Sequence, residues 1–293
     1  MRPSSRWTPY LLVGPAVLFF AFVVGLPLLG TIWMSFTKWS GTNRMRFIGI
    51  DNFTRAIHDT VYQRAYLNTF LYIAATLVLE VAVGFALAGL VSIQGKRTLW
   101  YRITFFVPVM LPMVVIAVLW SFIYSDDGGL INSFLTGIGR SDLRRVWLGD
   151  PGTALLAVSV VSGWIYAGFY MAIFYAALQR VPKSLLEAAR LDGASEWDLF
   201  FKIKAPLVRG MTEVAALLCI TGAFQSFDLF YVMTKGGPDH ATEIITTYLV
   251  STVFVDHEVG YGAALSVIMT VVVVGLGLFY ARFRREGDVD VEY

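Results

Sequence analysis

Few side chains in this sequence can do chemistry, and many of those that can lie between residues 184 and 207, in SLLEAARLDGASEWDLFFKIKAPL. Ser184 precedes Glu187 by three positions, and Ser195 precedes Asp198 by three. A reciprocal helix cap needs that spacing: the hydroxyl accepts from the backbone N–H three residues on, and the carboxylate reaches back to the N–H of the serine. Pro182 closes the preceding element, Leu185 to Asp192 is a run of good helix formers, and Gly193 supplies the left-handed residue on which helices end. Ser195 and Asp198 restart the pattern. Pro206 is expected to stop it, because the residue before a proline avoids the helical region. The stretch reads as helix, glycine corner, helix.

The first of these helices is too short to be stable alone in water, yet it carries Leu185, Leu186, Ala188, Ala189 and Leu191. Two readings account for it. One is a helix shaped for a groove in another protein, its alanines allowing close approach; the other is a helix lying among lipid headgroups. The second helix turns Trp197, Phe200, Phe201 and Lys204 to one side at three-four spacing. There the rings would hold it to a bundle or a lipid surface.

Other chemistry is missing. The nearest phosphate-loop candidate, Gly95-Lys96, has Leu90 where the first glycine belongs and Arg97 where Ser or Thr belongs. His58, His240 and His257 all fall between apolar runs, so no intramembrane histidine cluster is offered to a metal. No nucleophile motif, paired-carboxylate motif or metal spacing appears, and the single cysteine, Cys219, cannot form an internal disulfide. The chain is expected not to be an enzyme, and to bind no cofactor, metal or nucleic acid by itself.

The elements that must position these residues are apolar. The chain has 293 residues, 57% hydrophobic and 15% charged, against about 25% charged in a soluble domain, and its mean hydropathy is +0.65. Lipid, not water, is the expected solvent. A helix needs about 20 apolar residues to cross a bilayer, and six runs qualify: 10–36, 66–91, 102–124, 153–178, 211–233 and 261–283. With both termini in the cytoplasm, the inner segments hold the larger share of the 23 Lys and Arg residues, although the first outer loop is itself basic. The outer connections 37–65, 125–152 and 234–260 are long. The acidic residues Glu286, Asp288, Asp290 and Glu292 read as a solvated end. The expected architecture is all-α and polytopic: one transmembrane domain over 1–293, six spans, and a cytoplasmic helix–Gly–helix loop over 182–210.

Ionisable groups inside spans are costly and mark candidate function. Glu80 lies in the middle of LVLEVAV and Asp228 in the outer half of the fifth run; Glu213 falls near an inner boundary. Hydrogen bonding between helices explains Glu80 as well as a functional role does. Ser162, Trp164, Tyr166 and Phe169 on the fourth run, with Gln225, Ser226 and Asp228 on the fifth, offer ring faces and hydrogen-bonding groups of the kind sugars require. Packing or interfacial anchoring accounts for any single ring equally well.

Glu187-Ala188-Ala189, then Gly193 after three residues, then Ile203 and Pro206, resemble the "EAA" signature of inner-membrane permease subunits of ABC importers. Its consensus runs E-A-A, three residues, G, nine residues, I-x-L-P; only Ala205 departs, standing where leucine is usual. FIGIDNF (47–53), GGLIN (128–132) and FDLFYVMTKGGP (227–238) resemble the carbohydrate branch of that family. The resemblance implies that helix 185–192 is a coupling helix seated in a cleft of an ATP-hydrolysing subunit. Glu187 would make polar contacts there, Ala188 and Ala189 would permit close packing, and Gly193 would set the corner, with Asp192, Ile203 and Pro206 completing the loop. It also implies partners: a second similar permease, two ATPase subunits carrying ATP and Mg, and an extracytoplasmic solute-binding protein, at a bacterial or archaeal plasma membrane. The cargo would be a sugar or a sugar-like solute, bound in this subunit or its partner.

Two other classes compete. A carrier driven by an ion gradient would use intramembrane charges such as Glu80 and Asp228, but no inverted repeat or broken-helix pair is legible. A membrane-embedded enzyme would need convergent catalytic groups, and the spans offer neither histidine nor an acid cluster.

Overall fold

Proline placement and the demand that every backbone polar group be satisfied in lipid account for most of the architecture. A computed structural model describes residues 8–92 and 98–287. Among the described residues the structure is predominantly helical, with strand confined to one two-residue pair. In chain order the elements are α1 (Tyr10–Ser35), a two-residue antiparallel pair β1 (Thr37–Lys38) and β2 (Arg46–Phe47), α2 (Asp51–His58) and α3 (Thr60–Ser92). Then come α4 (Thr98–Met110), α5 (Met113–Ile123), α6 (Leu130–Gly137), α7 (Ala154–Leu178) and α8 (Lys183–Leu191). The chain continues with α9 (Glu196–Leu207), α10 (Arg209–Phe224), α11 (Asp228–Met233), α12 (Ile245–Val255) and α13 (Val259–Gly287). Arg2, Arg6, Gly95, Lys96, Arg97, Asp288, Asp290 and Glu292, on which parts of the sequence reading fall, lie outside the described residues.

Among the described residues α1, α3, α7 and α13 are each long and apolar enough to cross a membrane, and the pairs α4–α5 and α9–α10 raise the number to six if each bent pair is one span. Two of the expected spans are therefore not continuous. The third run bends by 97° between α4 and α5, where Leu111 is extended before Pro112 and Pro112 becomes the N-cap of α5. The fifth run stops at Phe224 and restarts at Asp228. The freed carbonyl of Ser226 accepts a hydrogen bond from the Thr246 hydroxyl. The expectation that no broken-helix pair is present is thus corrected.

Two other prolines lie inside continuous helix, although Pro206 is expected to end one. Pro206 does not end α9: a π-helical turn over Leu199–Lys204 precedes it and the helix runs on to Leu207. Pro27 in α1 follows a π turn over Ala21–Gly25 in the same way. The wide turn carries the carbonyl four residues back away from the pyrrolidine ring, relieving the clash that otherwise breaks a helix.

By internal packing the chain divides into residues 1–59 with 249–293, and residues 60–248. In the first unit α1 packs along α13. Asn52 of the FIGIDNF segment is buried and donates to the Ser35 and Thr37 carbonyls at 2.9 Å each, pinning α2 beneath β1. Arg55 pairs with Glu258 at 2.7 Å and lies 3.9 Å over the Tyr261 ring, whose hydroxyl donates to Asp59 at 2.6 Å.

In the second unit the core runs along α3, α7 and α10, with Phe174, Met171 and Ala215 fully buried. Small residues let the backbones meet, as in other membrane helix pairs. A Cβ on Gly84 of α3 would stand 2.7 Å from the Tyr170 Cβ, one on Gly163 of α7 2.7 Å from the Leu79 Cβ, and one on Gly168 would collide with the Phe105 carbonyl of α4. The loops of this unit are pinned too. Asn132 of GGLIN is buried, donates to the Arg145 carbonyl at 3.0 Å and accepts from the Trp147 indole at 3.0 Å. Beyond FDLFYVMTKGGP, Asn68 of α3 donates to the His240 and Glu243 carbonyls at 3.0 and 2.8 Å.

Candidate functional site

The break between α10 and α11 opens a cavity of about 410 Å³. α3 contributes Tyr72 and Glu80, α7 contributes Tyr166, Phe169 and Tyr170, and the break contributes Gln225, Ser226 and Asp228. Broken helices within a membrane are tolerated where they line a cavity, and this break lines one. Met113, the first residue of α5 after its own break, also lines it.

A hydrogen-bonded chain backs this cavity. Ser162 on α7, wholly buried, donates to Glu80 Oε1 at 2.7 Å. With its one proton so used, Ser162 accepts from the Tyr72 hydroxyl at 2.8 Å, and Tyr72 in turn accepts from Ser226 at 3.4 Å. Cys219 Sγ donates to Glu80 Oε2 at 3.6 Å. One carboxylate thus ties three helices and the helix break together. Glu80 sits in a π turn, Leu77–Ala82, a feature common at functional sites.

The residues predicted from the sequence divide in three. Tyr166, Phe169, Gln225, Ser226 and Asp228 surround the cavity. Ser162 does not line it; it stands behind, positioning Glu80 and Tyr72. Trp164 faces elsewhere, packing edge-on against Trp120 at 5.7 Å and lining an apolar groove with Leu79, Val83 and Pro108. α7 is unbroken, and one residue of helix turns a side chain by about 100°, so neighbours on one run reach different faces. Tyr72, Tyr170 and Met113 also line the cavity, and nothing in their spacing singles them out from the sequence.

The loop 182–210 carries the second candidate site. Pro182, not Ser184, is the N-cap of α8, and no side chain caps that end. Ser184 therefore falls inside the first turn, and the expected Ser184–Glu187 capping box does not form. The Ser195–Asp198 box does: Asp198 N–H donates to Ser195 Oγ at 3.2 Å and Ser195 N–H to Asp198 Oδ2 at 3.1 Å. Asp198 also pairs with Lys202 at 2.5 Å. Lys202 and the Ser195 donors hold its carboxyl below the usual range, at about 2.

Gly193 ends α8 with φ +85°. Ala194 N–H bonds to the Ala189 carbonyl at 3.0 Å and Gly193 N–H to that of Arg190 at 3.1 Å, a Schellman pair. Nothing lies within 4 Å of a Cβ built there, so backbone conformation alone demands the glycine. Glu187, Ala188 and Asp192 are exposed and Ala189 is half-buried, while Leu186 turns inward to the core. Leu191 is 90% exposed, an apolar cost no contact offsets. Ile203 is half-buried and Pro206 exposed.

On α9 the expected common face is split. Phe200 packs against Phe85 at 5.1 Å and closes on Gly89, and Lys204 is buried, but Trp197 and Phe201 stack on each other at 5.7 Å and stay exposed. The π turn shifts the angular step, and Leu199 takes the fully buried place.

A family model described as "Binding-protein-dependent transport system inner membrane component" matches residues 80–286. The chain belongs to that family, and so is a membrane component of a transport system that works with a binding protein. The probable ABC transporter permease protein YurN of Bacillus subtilis is 36% identical over 98% of this chain and 99% of its own. The diacetylchitobiose uptake system permease protein NgcF of Streptomyces coelicolor is 33% identical over 88% of this chain and 76% of its own. The sn-glycerol-3-phosphate transport system permease protein UgpA of Escherichia coli O157:H7 is 31% identical, covering 95% and 94%. In fold, the chain superposes with TM-score 0.85 and 20% identity on a bacterial ABC transporter that imports the acidic polysaccharide alginate, over 97% of this chain and 96% of that one.

Proposed function

We propose that this chain is one of two permease subunits in an ATP-driven importer of saccharides, with both termini in the cytoplasm and 1–293 acting as one transmembrane domain. An extracytoplasmic binding protein delivers cargo, and two ATPase subunits hold the ATP and Mg. α8 docks in a cleft of one ATPase: Glu187 makes polar contacts, Ala188 and Ala189 let the surfaces approach, and the Gly193 corner, with Asp192, Ile203 and Pro206, fixes the angle between α8 and α9. ATP binding favours the outward-facing of two arrangements, and movement of α8 is what the spans follow. The chain itself catalyses nothing.

The observation that carries the cargo reading is the cavity at the α10–α11 break. Tyr166 and Phe169 offer ring faces for the C–H surface of a sugar, and Gln225, Ser226 and Asp228 offer hydrogen bonds to hydroxyls. Its charge narrows the class. Among the described lining residues Glu80 and Asp228 are carboxylates and none is Lys, Arg or His. A neutral or amine-bearing saccharide suits such a wall; a uronate or a phosphorylated sugar would meet the Asp228 carboxylate with no cation among the described lining residues to offset it. The test is ATPase stimulation of the reconstituted complex by cargo-loaded binding protein. Neutral oligosaccharides should stimulate and acidic ones should not. The reverse order would overturn the charge argument, and no stimulation by any saccharide would overturn the function.

A further inference from the structure

A second pocket, of about 300 Å³, lies between the end of α3 and the start of α9. Its walls are Gly89, Leu90 and Ser92 on one side and Trp197, Phe201 and Lys204 on the other, with Glu196 at the edge. The accounting of charge around it is uneven. Glu196 pairs with Arg190 at 2.9 Å, Asp198 with Lys202 at 2.5 Å, and Arg209 with Glu213 at 3.5 Å. Lys204 is only 9% exposed and has no ion-pair or hydrogen-bond partner for its ammonium among the described residues. An ammonium beside apolar walls, with no counter-charge among the described residues, is open to an anionic ligand.

We propose that this pocket binds one anionic phospholipid, its phosphate on Lys204 and the start of its acyl chains along Leu90, Trp197 and Phe201. Three observations select a lipid over free phosphate or a protein. The pocket lies at the end of a helix long and apolar enough to span a membrane, the level at which headgroups stand. Its walls are predominantly apolar, and a bare phosphate would leave them uncovered. Trp197 and Phe201 are exposed to 71% and 56% and stack at 5.7 Å, the disposition of rings at a membrane–water boundary. Charge complementarity with the Lys204 ammonium, which has no ion-pair partner among the described residues, makes the lipid anionic rather than zwitterionic. An acidic lipid seated there would brace α9, and through the Gly193 corner the orientation of α8.

The full chain, reconstituted in nanodiscs with brominated phosphatidylglycerol or brominated phosphatidylcholine, tests this directly. Trp197 emission is obtained by subtracting a Trp197→Phe variant. Phosphatidylglycerol should quench it with about a fivefold preference over phosphatidylcholine, the size expected of one interfacial lysine. Lys204→Met should abolish the preference and Lys204→Arg restore it, which separates loss of charge from misfolding. Inorganic phosphate should not displace the lipid. Equal quenching by both lipids, competition by phosphate alone, or loss of quenching when the ATPase subunits are bound would each overturn the proposal, the last by assigning the pocket to a protein partner.

Discussion

Ser162 of α7, wholly buried, donates its hydroxyl proton to Glu80 of α3 across 2.7 Å, at the back wall of the cavity. The two are 82 positions apart, so the bond is a tertiary clasp between two spans and not a local cap. Removing the donor strands a buried carboxylate oxygen, which costs about 1–3 kcal/mol. Ser162→Ala should therefore lower the unfolding midpoint in detergent, while Ser162→Thr, which keeps the hydroxyl, should lower it less. Equal loss in both would mean that space, not the hydrogen bond, is the constraint.

The glycines of α7 allow a cleaner test of packing. A Cβ on Gly168 has nowhere to go except into the Phe105 backbone, whereas one on Gly275 of α13 meets nothing within 4 Å. Gly168→Ala should destabilise by about 1–3 kcal/mol. Gly275→Ala should be neutral or stabilising, since alanine is the better helix former by about 1 kcal/mol. Thermal unfolding of the two variants side by side decides it.

Of two serines spaced identically before an acid, only Ser195 caps a helix. Ser195→Ala should raise hydrogen exchange across α9, with a cost of about 0.5–2 kcal/mol, and Ser184→Ala should leave α8 unchanged. The Asp198 carboxyl titrates at about 2, below its ordinary value of 3.8. A depressed carboxylate contributes stability that is complete above its unfolded value and lost as pH falls through the folded one. Protection of α9 should thus be flat above about pH 4 and fall between there and pH 2, and Lys202→Met should move the fall upward. Protection that declines already near neutral pH would implicate another group.

Backbone conformation, not contact, requires Gly193, and that makes it a sharp probe of the coupling reading. Proline cannot adopt φ +85°, so Gly193→Pro must straighten or break the corner between α8 and α9. Glu187→Lys reverses an exposed charge without touching the core. Both variants should assemble in the membrane yet lose cargo-stimulated ATP hydrolysis and uptake. Normal ATP-driven uptake by both would remove α8 from the coupling path.

How much of this was legible beforehand follows from the range of each interaction. The Gly193 corner and the Ser195–Asp198 box are settled within a few residues, and their spacing alone located them. The matching Ser184–Glu187 spacing misled because Pro182, with φ −58° and no N–H to satisfy, takes the cap position first. Pro112 announces the bend in the third run. Gln225-Ser226-Phe227 contains neither glycine nor proline, and the carbonyl its break frees is satisfied by Thr246, twenty positions away. The pattern of apolar runs puts Tyr166, Phe169 and Asp228 on the right elements. It could not assign Ser162 to the layer behind them or Trp164 to another face, since that requires knowing how α3 crosses α7.

Trp164 consequently serves as the control for the cavity. Asp228 and Gln225 line it at the helix break, and Trp164 lines the apolar groove instead. A hydrogen bond to a charged group contributes about 1.5–3 kcal/mol, and each 1.4 kcal/mol is about tenfold in affinity. Asp228→Ala should then raise the concentration of cargo needed for half-maximal ATPase stimulation by roughly ten- to a hundredfold. Gln225→Ala, losing a neutral partner worth about 0.5–1.5 kcal/mol, should raise it less. Trp164→Phe should leave it unchanged while lowering stability modestly through its lost edge contact with Trp120. If Trp164→Phe shifts cargo dependence and Asp228→Ala does not, the path runs through the groove and the cavity at the α10–α11 break is structural.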